Sequence, residues 1–84
     1  MKINKAITDH RLLLVTDKEG RKRTVEPYAV FDGRQGQPLL HCYQRDGYSS
    51  QGRAEGWRNL PLASLTSIVM LQINYQPRPE FKGK

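Results

Sequence analysis

The feature that most constrains this chain is how soon its hydrophobic pattern is interrupted. After Leu12 the apolar residues come in short runs or alternate with polar ones. The runs close on turn signals: Asp17-Lys18-Glu19-Gly20, Asp32-Gly33 through Gln35-Gly36 to Pro38, and Asp46-Gly47. The longest apolar runs, Leu12–Val15 and Ile68–Leu71, are four residues each. A stable helix needs a stripe sustained over more turns than that, whereas short runs bounded by glycine predict strands.

The predicted strands are Leu12–Thr16, Thr24–Phe31, Leu39–Arg45, Trp57–Leu60 and Thr66–Tyr75. Pro27 lacks an amide donor, so it belongs at an edge, a bulge or a strand crossing. Residues 2–11 predict a short helix, with Ile3, Ala6, Ile7 and His10 on one stripe. Ten residues do not hold a helix in water, so its place is across a barrel end, as a plug. Pro61–Leu65 suits a tight turn or one 3₁₀ turn, Tyr48–Gly56 a polar loop, and the tail 76–84, with Pro77 and Pro79, an extended segment. Together these predict an all-β fold with one short N-terminal helix: a small SH3-like or Sm-like barrel of four to five antiparallel strands. A sandwich would need about seven. At 84 residues the chain makes one domain, 1–84, with a thin core.

Composition narrows the function. Fourteen Lys and Arg against eight Asp and Glu give a net charge of +6, which favours contact with phosphate-bearing polymers. No stretch nears the ~18 apolar residues that span a bilayer, and the N-terminus lacks the apolar core of a secretory signal. Cys42 is the sole cysteine and has no internal disulfide partner. These features predict a cytoplasmic protein with no membrane partner.

Chemistry-bearing motifs are sparse. His41 and Cys42 are strand neighbours and point to opposite faces, so they form neither a metal pair nor a nucleophile with its base. No glycine-rich phosphate loop, zinc spacing or triad motif occurs, so no catalytic residue, metal or cofactor is expected, and an enzyme is not. Arg58 shares a face with Leu60 and Leu62 by two-residue alternation. A guanidinium aimed toward a core needs an anion or a carbonyl, either as a clamp on phosphate or carboxylate or in a pair with Glu26 or Glu55. Tyr28 and Tyr43 offer stacking faces for bases, or plain core packing with the hydroxyl at the surface. Trp57, on the face opposite Arg58, suits a barrel end or an oligomer contact. Lys18, Arg21, Lys22 and Arg23 crowd one hairpin tip as a phosphate contact, or as a solvated turn that protects an edge.

At Val25-Glu26-Pro27-Tyr28-Ala29-Val30-Phe31 and Gly56-Trp57-Arg58-Asn59-Leu60-Pro61-Leu62 the chain resembles the WYL domain family. The likeness spans nearly the whole chain. It runs from Ala6-Ile7 through Leu12–Val15 and Leu40-His41-Cys42-Tyr43 to Leu65, Ile68, Tyr75 and Pro79-Glu80-Phe81. The family's naming tripeptide falls on Pro38-Leu39-Leu40, and its later Asp-Arg on Ala63-Ser64, so a second arginine is lost. The resemblance implies an SH3-like barrel that usually follows a winged helix-turn-helix and binds nucleic acids or nucleotides to control transcription. It implies ligand-facing roles for Tyr28, Tyr43 and Arg58, and His41 is assigned to the same site.

The expected function is therefore a non-enzymatic regulatory module. Its ligand is anionic, a nucleotide or single-stranded nucleic acid. The alternative is a protein-interaction module, pairing with a partner or with itself and binding no nucleic acid.

Overall fold

The computed structural model describes residues 2–49 and 52–81. A helix, α1 (Lys2–Asp9), leads into five strands: β1 (Arg11–Asp17), β2 (Lys22–Asp32), β3 (Pro38–Gly47), β4 (Gly56–Pro61) and β5 (Leu65–Asn74). A three-residue 3₁₀ turn, Leu62–Ser64, joins the last two strands. All pairings are antiparallel, and the strand order is β4-β3-β2-β1-β5.

That order makes β4 and β5 the two edges of the sheet while the chain joins them almost directly. In a flat sheet the edges would lie about 19 Å apart at the usual strand spacing. The stretch from Pro61 to Leu65 reaches about 14 Å at most. The sheet therefore curls, and the expected small barrel forms with its seam between β4 and β5.

Alternation fills the inside. Leu13, Val15, Val25, Leu40, Cys42 and Leu60 are buried together, and α1 adds Ile3 and Ala6 across the end of the barrel. The helix stops at Asp9, two residues before the expected end. His10 takes a left-handed conformation (φ 53°), and its carbonyl accepts from the Tyr75 N–H at 2.9 Å. This reversal launches β1. Pro27 sits in the central strand β2, where a lost donor would normally break the ladder. A register shift between Pro27 and Ala29 absorbs it and leaves Tyr28 as the extra residue.

The tail departs from expectation. Through Phe81 it is folded back onto the outer face of the sheet rather than left extended; residues 82–84 lie outside those described. Leu12, Tyr28 and Tyr75 form a second buried cluster there, with Tyr43, Trp57, Leu71 and Phe81 packed around it.

Candidate functional site

Two-residue alternation sorts the candidate residues before any chemistry does. Leu40, Cys42 and Gln44 of β3 face inward, so Leu39, His41 and Tyr43 face outward. The β3–β4 register sets Tyr43 opposite Trp57, Cys42 opposite Arg58 and His41 opposite Asn59. Arg58 thus lies on the inner face, where the sequence put it. Tyr28, Tyr43 and His41 lie on the outer face. The four do not form one site, and this corrects the expectation of a single mouth around Arg58.

The guanidinium of Arg58 is already occupied. It donates to the Trp57 carbonyl at 3.1 Å, the Arg53 carbonyl at 2.8 Å and the Ser49 hydroxyl at 3.2 Å. It also runs so close along Gly56 (φ +146°) that a Cβ there would stand 2.7 Å from its Nη1. Its partners are the Trp57 carbonyl of β4 and a carbonyl and a hydroxyl of the loop before it, and neither Glu26 nor Glu55 is among them. Arg58 therefore ties that loop to the barrel.

The hairpin cations also divide. Asp17 is the centre of the tip. Its carboxylate accepts from the N–H groups of Glu19 and Arg21 and from Arg21 Nε, each at 3.0 Å. Burial works against its charge, but these donors outweigh burial and hold the Asp17 carboxyl below its ordinary range. Arg21 and Arg23 both lie over the Tyr48 ring, 4.1 and 5.4 Å from its centroid. Arg23 Nε is buried, with no hydrogen-bond partner among the described residues. Arg21 and Arg23 thus build the turn, which leaves the exposed Lys18 and Lys22 as the outward charges of the predicted knob.

Around Glu26 the outer face carries a buried polar knot. The carboxylate is 2% exposed and receives Arg78 twice, Nε to Oε1 at 2.9 Å and Nη2 to Oε2 at 3.1 Å. Tyr28 donates its hydroxyl to Glu26 at 2.7 Å and accepts the Arg78 N–H at 3.0 Å. Burial, then the bond to Glu26, pushes the Tyr28 phenol up to about 12. The Arg78 guanidinium carbon also sits over the Tyr43 ring, 3.6 Å from its centroid, and Tyr75 donates its hydroxyl to the Pro27 carbonyl. A guanidinium bonded on its edge and held over a ring is fixed in every direction. This clasp seats the tail.

The seated tail makes one side of a groove of about 650 Å³. Its floor is Ala29 and Phe31 of β2, His41 of β3, and Trp57 and Asn59 of β4; Glu80 and Phe81 form the wall. His41 stacks on Trp57 with ring centroids 5.0 Å apart and planes 7° from parallel. Asn59 Oδ1 accepts from His41 Nδ1 at 2.8 Å, so the neutral ring keeps Nε2 as an acceptor. Phe31 is 42% exposed beside this pair. Volume and lining suit a small planar ligand.

Of the predicted ligand residues, His41 lines this groove. Tyr28 and Tyr43 support it from beneath, and Arg58 does not reach it. The sequence reading missed Phe31, Asn59, Glu80 and Phe81, and gave Trp57 another role. Alternation from Trp57 would have found Asn59, but nothing local announces the tail.

Elsewhere, Cys42 is fully buried and burial pushes its thiol up to about 12, which keeps it protonated at neutral pH. No cluster of three or more His, Cys, Asp or Glu able to hold a metal occurs among the described residues. No described helix is long and apolar enough to cross a membrane. Compared with known proteins, the chain matches no family model, no curated protein and no solved structure.

Proposed function

We propose that this chain is a small, non-enzymatic, WYL-like regulatory module that binds a nucleotide or single-stranded nucleic acid in transcriptional control. A base stacks in the aromatic groove while the phosphates run along the positive surface outside it. The observation that carries the reading is the parallel His41–Trp57 pair lying open beside an exposed Phe31. Base–aromatic stacking contributes about 1–3 kcal/mol per base and tolerates any sequence. The net charge of +6 supplies the long-range attraction that a polyanion answers.

Trp57 is the chain's single tryptophan, so its fluorescence reports on the groove alone. Titration with short single-stranded oligonucleotides should quench it saturably, and affinity should fall as salt rises. Oligonucleotides that bind without touching Trp57 fluorescence, or with no salt dependence, would refute the proposal.

A second reading, a protein-interaction module, draws on β5. This edge strand carries no charged residue, and Val69 and Ile73 stand 45% and 52% exposed. Unprotected edges of this kind invite strand pairing. Light scattering separates the two readings: a tight oligomer indifferent to nucleic acid favours the second.

A further inference from the structure

The polar atoms set among the groove's rings are mostly acceptors. Among the described residues Glu80 is the only charged one lining it, and a carboxylate can only accept. His41 Nε2 is an acceptor in the neutral ring whose Nδ1 proton goes to Asn59. Asn59 can donate through its amide nitrogen and Trp57 through its indole N–H. No lysine or arginine among the described residues lines the groove. A phosphate placed here would meet a carboxylate and, among the described residues, no cation, so the part of a nucleotide that enters is the base, and an edge that donates finds Glu80 and His41 Nε2.

We infer that the groove selects bases bearing an exocyclic amine over uracil and thymine, an inference that rests on the binding proposed above. An amine on adenine, cytosine or guanine supplies N–H groups to Glu80 or to His41 Nε2, as carboxylates elsewhere accept from the cytosine amine and asparagine pairs with adenine. Uracil and thymine show a single N–H between two carbonyls. Seated in the same place, one of those oxygens faces the Glu80 carboxylate, two acceptors with no proton between them. A guanidinium-bearing peptide would satisfy the same acceptors, but a chain of charge +6 repels it on approach.

The test uses the whole chain, Trp57 fluorescence, and single-stranded oligonucleotides of equal length made of adenine only, cytosine only or thymine only. The first two should bind about tenfold tighter than the third, the discrimination expected of one good polar pair. Glu80 is exposed, so Glu80→Gln leaves the fold intact. With a donor now on that side chain, the variant should bind the thymine strand more tightly and narrow the gap. Equal affinities with Trp57 quenched by all three would overturn the selectivity and leave the groove as a stacking platform. Absence of quenching by any strand would overturn the binding itself. Quenching by an arginine-rich peptide in place of the oligonucleotides would overturn both, and would assign the groove to a cationic partner.

Discussion

The two faces of the sheet solve opposite problems with the same alternating backbone. The inner face is mainly aliphatic, with Gln44 and Arg58 as polar members: Leu13, Val15, Val25 and Leu40 pack without hydrogen bonds to arrange, and the curl of the sheet with Ile3 and Ala6 of α1 closes them off. The outer face over β2, β3 and β4 carries rings and a buried carboxylate, surfaces that a barrel cannot cover by curling. Six residues of tail cover part of it through Arg78 and Phe81, and the uncovered remainder is the groove. The difference teaches where to look in a small barrel: the face that closure cannot bury is the one left for a ligand.

The sharpest way to break this distinction is to shorten one side chain on each face. Leu40→Ala opens a cavity at a fully buried site and should cost about 2–5 kcal/mol, a large part of the stability of so small a domain. Phe31→Ala, exposed on the groove floor, should cost about 0.5 kcal/mol or less in the same denaturant titration while weakening the oligonucleotide quench of Trp57. Comparable losses of stability from both would mean that the outer face is a second core rather than a binding surface.

The inner face was legible in the sequence because two-residue alternation reports it directly. Leu60 and Leu62 share a side, and the same count placed Arg58 inward, where it is found. Pro27, with no amide to give, announced an edge, a bulge or a strand crossing, and a bulge beside it is what is found. Pro61–Leu65 suited a tight turn or one 3₁₀ turn, and a 3₁₀ turn is found at Leu62–Ser64. The outer face was not, because its logic is long-range. Glu26 meets Arg78 across 52 positions of sequence. A segment holding two prolines and no hydrophobic period offers no local cue that it will dock. Arg58 shows the limit between the two cases: its face follows from spacing, but its carbonyl partners depend on how a nine-residue polar loop folds, which spacing does not encode.

A cut at the clasp tests whether the tail is needed to make the groove. Arg78→Ala removes both bonds to Glu26 and leaves a carboxylate 2% exposed with the Tyr28 hydroxyl and Arg45, 3.6 Å away, as its company. Breaking a buried pair outright costs more, but Arg78 is 32% exposed and solvent reaches it, so a loss of about 1–3 kcal/mol is expected. Phe81 should also leave the wall, so affinity at the groove should fall further than stability alone requires. Unchanged oligonucleotide affinity in a folded Arg78→Ala chain would show that the floor binds without the wall.

The smallest effects should come from the hairpin, and they separate steering from stacking. Lys18 and Lys22 are exposed, and the turn is held by Asp17 with Arg21 instead. Lys18→Gln and Lys22→Gln should each leave stability within about 0.5 kcal/mol of the parent. If these lysines neutralise phosphates, each replacement should also flatten the dependence of log affinity on log salt by about 0.7. The depth of Trp57 quenching at saturation should not change, because the base still reaches the same rings. Groove variants should do the reverse, weakening binding at every salt concentration while keeping the slope. A lysine replacement that altered quenching depth but not slope would place the phosphate path elsewhere on the barrel and would tie the hairpin to the groove that the two faces otherwise keep apart.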